Sequence, residues 1–385
     1  MRDAVIVQAV RTPIGKGKPD GALAGVHPVE LLAHTLRTLV ERSGVDPALV
    51  DDVIGGTVDQ VGEQAMNTTR HAWLSAGFPD SVPAVTVDRQ CGSSQQAVHF
   101  AAQGVIAGAY DLVVACGVES MSRVPMWSNV PPGKDPFGPG VAGRFPGGLV
   151  PQGVSAELIA AKWSLGREQM DAFSAVSHAK AAAADFTAEL APIAGLAHDE
   201  SVRPATTTEI LAGLKPAFAD PGHAERFPQI DWSVTAGNSS PINDGAAALL
   251  ITTSENAARL GLRPLARLHS FAVTGSDPLL MLTGVIPATG KVLRRAGLRL
   301  DDIDLFEVNE AFASVVLAWQ QETGADPAKV NVKGGAIALG HPLGAGGARI
   351  MTTLVGAMRE RGARYGLQTM CEAGGLANAT VLEAL

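Results

Sequence analysis

The chain has 385 residues, enough for two or three domain-sized units around a large core. Its net charge of −8 argues against nucleic acid or an anionic membrane as the main partner, though it says nothing about one basic cleft. No apolar run reaches the length of a membrane span. The three cysteines, Cys91, Cys116 and Cys371, are too scattered for a disulfide framework or a CxxC metal site, which points to a reduced, cytoplasmic protein.

The opening run Ala4–Val10 reads as a first buried strand, followed by a turn-rich loop from Arg11 to Pro19. Apolar residues recur at helical spacing from Pro28 to Arg42, and Gly44 ends that helix. Val53-Ile54 and Thr57-Val58 read as a strand interrupted by Gly55 and Gly56, and a helix follows from about Asn67 to Ala76. The β-branched run ending at Val87 then gives way to Asp88-Arg-Gln-Cys91-Gly-Ser-Ser94 and a small-residue helix. Leu112–Gly117 is the next buried strand. Strands and helices alternating in this way imply an α/β unit with a mainly parallel sheet covered on both faces.

From Glu119 to about Asp244 the texture changes. Met121–Gly148 and Pro216–Ser233 are rich in proline and glycine and read as loops. Between them lie two helical stretches, Gly153–Lys162 and Arg167–Phe186. The α/β rhythm resumes at Ala246, and there the chain repeats itself: Leu39–Ile54 is echoed by Leu293–Phe306, and the cysteine stretch by Val330–Gly335, the helix after Gly344 and the strand Tyr365–Cys371. The simplest division is an N-terminal α/β repeat (1–118), an inserted loop domain (119–245) and a C-terminal α/β repeat (246–385). Long insertions of this kind often carry binding function.

Four places bear chemistry. Cys91 stands where a strand turns into a helix, a position that lowers a thiol's pKa and supplies backbone N–H donors; it also suits an ordinary buried cysteine. Asn309 in Glu307-Val-Asn-Glu-Ala-Phe312 opens a helix, and fits a cap as well as a site residue. His341 sits in the glycine-dense loop Gly340-His-Pro-Leu-Gly344, which also reads as a turn. Cys371 in Cys371-Glu-Ala-Gly-Gly375 is a catalyst or a core residue.

Together these motifs resemble the four active-site motifs of the thiolases, in the right order and across essentially the whole chain. The resemblance implies a thiolase-like α/β fold, with two repeated units whose mixed sheets pack around shared helices, plus an inserted loop domain. It implies an acetyl-CoA C-acyltransferase that cleaves a 3-ketoacyl-CoA with coenzyme A, or runs the reverse Claisen condensation. By the same resemblance Cys91 is the nucleophile, His341 takes its proton, and Cys371 protonates the acetyl-CoA enolate and activates incoming CoA. His341 and Asn309 are expected at the enolate oxyanion, and the backbone N–H groups of Cys91 and Ala373 at the tetrahedral one. Ser240 and Phe312 match the family's contacts to the pantetheine chain and the acyl group, while Lys215 suits a CoA phosphate or an ordinary solvated position. Acyl-CoA and CoA enter as substrates, with no tightly bound cofactor and no metal. A homodimer or homotetramer, and beta-oxidation enzymes as partners, are implied too.

Three departures stand out. The family's Cys-x-Gly-Gly-Gly has Ala373 at its third position here, where a required positive φ would strain alanine. Gly346-Gly347 replaces a common Ser-Gly, and the stretch Asp220–Trp232 is longer than in many relatives. Cys116 and His99 read as packed residues and Glu310 as a support. The acyl pocket is expected from Val124–Val150, with the chain it accepts left open. A ketoacyl-synthase-like condensing enzyme is the nearest alternative, and Cys371 speaks against it. A catalytically silent acyl-CoA-binding subunit is the other.

Overall fold

The structure, a computed structural model, describes residues 2–385. The first unit runs β1 (Val5–Arg11), a two-residue β2 (Gly15–Lys16), α1 (Pro28–Ser43), β3 (Asp52–Gly56), α2 (Thr68–Ser75), β4 (Ala84–Val87), α3 (Ser93–Ala107) and β5 (Leu112–Ser120). Pro28 opens α1 where a missing N–H costs nothing, and Gly44 at φ 69° closes it. The insertion holds α4 (Gly138–Arg144), α5 (Gln152–Lys162), α6 (Arg167–Ala183), α7 (Thr208–Ala212) and α8 (Pro221–Arg226). The remainder runs β6 (Asn243–Thr252), α9 (Ser254–Arg259), β7 (Ala266–Gly275), α10 (Val285–Ala296), β8 (Leu305–Val308), α11 (Ala313–Thr323), α12 (Ala336–Leu339), α13 (Gly346–Arg361), β9 (Tyr365–Glu372) and β10 (Leu376–Ala384).

The strands lie in the order β4-β3-β5-β6-β1-β7-β10-β9-β8, with β2 beside β6. β1 and β7 pair only through Val5↔Arg267 and Ile6↔Ala266, so the sheet is two halves joined at a narrow seam. The expectation of a mainly parallel sheet is overturned. Only β3 with β4, β3 with β5, and β8 with β9 run parallel; the other pairs, from β5 through to β9, are antiparallel. The physical cause is connectivity: β9 and β10 form a hairpin, and β6 returns from the insertion to lie between β5 and β1. β6 thus joins the first half-sheet although it follows the insertion.

The repeat read from the sequence has a structural counterpart in both halves. α1, β3, α3 and β5 correspond to α10, β8, α13 and β9. Val330 makes a parallel bridge to Phe306, as β4 does to β3. α3 and α13 form the middle layer, sharing one core with Ile6 of β1, Leu249 of β6 and Leu305 of β8. α1 and α2 cover the outer face of the first half, and α5, α10 and α11 that of the second. Among the described residues no helix is long and apolar enough to cross a membrane.

Two local expectations also change. β3 runs through Gly55 and Gly56 and stops before Thr57; a side chain at Gly56 would collide with the start of α3, so glycine lets the strand pass there. The loops 121–148 and 216–233 each contain a short helix, α4 and α8. Asp220 caps α8 by accepting the His223 N–H at 3.0 Å.

Close approach in the middle layer is testable at Gly117 of β5. A Cβ there would collide with the Gly344 carbonyl and lie 2.7 Å from the Ser94 Cβ. Gly117→Ala is expected to cost about 1–3 kcal/mol of stability, read as a lower denaturant midpoint. An unchanged midpoint contradicts the packing.

Candidate active site

Cys91 is held by a tight turn between β4 and α3. The Asp88 carboxylate accepts the Gln90 N–H at 2.6 Å, and Ser93 Oγ accepts the Arg89 N–H at 2.9 Å while donating to the Gln90 carbonyl at 2.6 Å. Gln90 takes φ 50°, a costly conformation for a non-glycine residue, immediately before the cysteine. The turn lies against α13, whose Ala348 N–H donates to Ser94 Oγ at 2.9 Å. Gln152, at the start of α5, lines both cavities together with Cys91.

The second unit brings its three residues to the same place. Asn309 follows β8, its N–H donating to the Thr369 carbonyl at 3.0 Å. Glu310 beside it accepts from Ser177 Oγ at 2.6 Å, Asn331 Nδ2 at 2.9 Å and the Ile337 N–H at 3.2 Å, which pins the loop. The His341 N–H donates to Asn243 Oδ1 at 3.0 Å, after Gly340 at φ 111°, a conformation that favours glycine. Asn309 Nδ2 stands 3.5 Å from His341 Nε2. Asn309 Oδ1 and His341 Nδ1 are buried without a hydrogen-bond partner. Cys371, at the end of β9, is fully buried.

Glu119 ties the two units together beneath the site. Its carboxylate accepts the backbone N–H groups of Val58, Asp59 and Gly344 and the Gln64 amide. A buried acceptor with several donors fixes the loops that carry them.

Burial dominates the electrostatics. It pushes the Cys91 thiol up to about 12, with the Glu372 carboxyl adding to the rise. Burial, and then Arg349, lowers the His341 imidazole to about 3. Burial also raises Cys371, and Cys91 and Glu372 add to it. The resting site is therefore a neutral thiol beside a neutral imidazole. The expectation that the helix start lowers the Cys91 thiol is corrected: desolvation outweighs it.

Two cavities meet at Cys91. A channel of about 530 Å³ is lined by Cys91, His341, Cys371, Ser240 and Phe312. A second cavity of about 310 Å³ is lined by Cys91, Trp127, Phe137, Val150 and Ala373. Much of that wall comes from the 124–150 stretch read as the acyl pocket. Lys215 is exposed and does not line the channel, although Leu214 and Ala217 do. Lys18 and Arg203 line it instead. Both were missed in the sequence, where Lys18 is one lysine of a glycine-rich turn and Arg203 carries no motif. Among the described residues no group of three or more His, Cys, Asp and Glu side chains is placed to hold a metal ion.

The thiolase N-terminal domain family matches residues 4–255 and the thiolase C-terminal domain family residues 262–384. The chain belongs to the thiolase family. It is 47% identical to a steroid 3-ketoacyl-CoA thiolase of Mycobacterium tuberculosis, over 100% of this chain and 95% of that protein. It is 43% identical to a 3-ketoacyl-CoA thiolase of Citrobacter koseri, over 100% of this chain and 99% of the relative. A crystal structure of the Bacillus anthracis acetyl-CoA acetyltransferase superposes with a TM-score of 0.88 at 38% identity, covering 100% and 99% of the two chains.

In this thiolase the departures from the family pattern resolve individually. Ala373 is not among the positive-φ residues; Gly374 and Gly375 are, at 83° and 79°. Alanine at position 373 is therefore unstrained, and the turn's need for glycine falls one residue later. The 220–232 stretch packs within the insertion, where Phe227 and Ile230 join Val150, Val154 and Leu158 in a small core. Gly346 lies against the His341 ring, where a Cβ would sit 3.0 Å from Cε1 and Nδ1. His99 is a packed residue, 2.8 Å from Thr380 Oγ1 and stacked on Phe271, and Cys116 is core.

A neutral buried thiol reacts slowly with alkylating agents. Labelling of Cys91 by iodoacetamide, followed by peptide mass, is expected to keep accelerating beyond about pH 9 because burial raises the thiol. A plateau below about pH 8 contradicts this resting state.

Proposed function

We propose that this thiolase cleaves 3-ketoacyl-CoA with coenzyme A to acetyl-CoA and a shortened acyl-CoA, through an acyl-enzyme on Cys91. The observation that carries the reading is the meeting of two cavities at Cys91, one of which also holds His341 and Cys371. Cys91 gives its proton to His341 and attacks the 3-keto carbon. The C2–C3 bond then breaks, leaving an acyl thioester on Cys91 and an acetyl-CoA enolate, which Cys371 protonates at carbon. Cys371 next takes the proton of incoming CoA, whose sulfur attacks the thioester and frees Cys91 as a thiolate that recovers its proton from His341.

The neutral resting site shapes the first step. Burial raises the Cys91 thiol and lowers the His341 imidazole, so both desolvation effects oppose a free ion pair in the resting site. Thiolate formation is therefore coupled to attack, with the developing charge passing to the substrate oxygen. The backbone N–H groups of Cys91 and Ala373 are assigned to that oxygen. His341 and a water on Asn309 are assigned to the enolate oxygen; the unpartnered Asn309 Oδ1 and His341 Nδ1 support a site made for further hydrogen bonds.

The channel is assigned to coenzyme A, with Ser240 and Phe312 along its wall and Lys18 and Arg203 as cations for the phosphates. The exposed Lys215 drops to a solvated position. The 310 Å³ cavity has the volume of about ten water molecules, far more than an acetyl group fills. With Trp127 and Phe137 in its wall, it favours a bulky acyl chain, in keeping with the steroid 3-ketoacyl-CoA named for one relative. The 119–245 insertion supplies most of that wall. The working place proposed is the cytoplasm, in fatty-acid degradation beside other beta-oxidation enzymes.

A homodimer is proposed through β4. This strand ends the sheet, and Val85 on it is 42% exposed; Phe100 of α3 is exposed as well. An unpaired apolar edge calls for a second strand, and a second copy of this chain supplies one.

Cys91→Ala is expected to abolish the acyl adduct seen by mass spectrometry after substrate addition, and an unchanged adduct sinks the nucleophile assignment. Cys371→Ser is expected to spare acylation from acetyl-CoA while turnover collapses. Across a 3-ketoacyl-CoA series, kcat/KM is expected to rise from acetoacetyl-CoA to bulkier chains. Best activity on acetoacetyl-CoA overturns the chain assignment. Val85→Asp is expected to shift the light-scattering mass from dimer to monomer.

A further inference from the structure

Glu372 has no part in the mechanism above, yet it stands between the two cysteines' elements. It follows Cys371 on β9, and its side chain is fully buried with neither carboxyl oxygen hydrogen-bonded. The carboxyl fills the space above Gly92, where a Cβ would collide with Oε1. Gly92 is the N-cap of the 15-residue α3, and no side chain caps that helix. An unpaired buried carboxyl is costly to keep, so its place at the start of α3 needs a reason.

Cys91 stands at the same helix start. The charged groups that act on Glu372 are Arg89 and Asp88, both from the turn that leads into α3. Glu372 acts in turn on Cys91 and Cys371, and Glu119 of β5 acts on Cys91. The facing residues of β10, Leu376, Ala377 and Asn378, carry no charge. A thiolate and a carboxylate at one helix terminus, out of water, repel each other strongly.

We infer that Cys91 and Glu372 compete for the positive end of α3: the Glu372 carboxyl, lying against Gly92, gives up its proton first, and its charge then holds Cys91 as the thiol until higher pH. Glu372 is then a positioning residue that acts through Cys91 and sets the pH at which Cys91 becomes a thiolate. Burial holds its carboxyl well above the usual carboxylate range. The inference rests on the reading of Cys91 as nucleophile.

The test is the pH dependence of iodoacetamide labelling at Cys91, compared between the wild type and Glu372→Gln. Removing the competing acid is expected to move the labelling midpoint to lower pH and to raise the rate at about pH 8 by about tenfold or more. Superimposable labelling profiles, or a midpoint moved upward, overturn the inference. Where Glu372→Gln does not fold, Glu372→Met asks for no hydrogen bonds and carries the same readout. Labelling needs no turnover: a shifted profile in an enzyme that cleaves no 3-ketoacyl-CoA leaves this inference standing and sinks the thiolase reaction.

Discussion

The contact between the N-terminal ends of α3 and α13 is the constraint on which the rest of the molecule depends. Two helices from two repeats meet back to back, close enough that a Cβ on Gly347 would collide with the Gln95 N–H. The bond from Ala348 N–H to Ser94 Oγ fixes their register. Each half-sheet covers one side of this pair, and their shared apolar core is what the two sheets are built around. Because helices of both repeats begin at this contact, the loops that precede them also converge. Cys91 enters from one loop and His341 from the other.

Convergence at the centre of a large protein has an electrostatic consequence. Every ionisable group there is desolvated before it does anything else, which explains why Cys91, Cys371, Glu119 and Glu307 are all raised and His341 and His99 lowered. A site made this way stays neutral until a substrate supplies the missing polar partners. Glu119 shows the complementary solution, meeting burial with three backbone donors and one side-chain donor. Glu372 has no such partners, and so its charge state is tied to that of Cys91.

The insertion plays a different part. It adds no strand to the sheet, and its Trp127 and Phe137 are half exposed at the wall of the acyl cavity. Variation in such a segment changes the pocket without disturbing the α3–α13 contact. On the proposed function, this separates the chemistry, assigned to the repeats, from the choice of acyl chain, assigned to the loops.

Much of this was legible in the residues. Helix spacing, Pro28 and Gly44 mark α1 nearly to the residue, and the echo of Leu39–Ile54 in Leu293–Phe306 reveals the repeat, because apolar periodicity and capping are local. Cys91, Asn309, His341 and Cys371 were readable as motifs because each sits on a short, distinctive turn. What the sequence could not decide was set by distant partners. The antiparallel middle of the sheet depends on where β6 returns, and alternation alone does not encode that. The raised Cys91 thiol depends on how deeply α3 is covered, and local helix physics pointed the other way. Lys18 and Arg203 reach the channel only because separate loops close around it, while Lys215, nearer in sequence to its wall, points to solvent. Sequence determined which residue types stand at which turns; only tertiary burial decided their charge, their neighbours and which of them face the substrate.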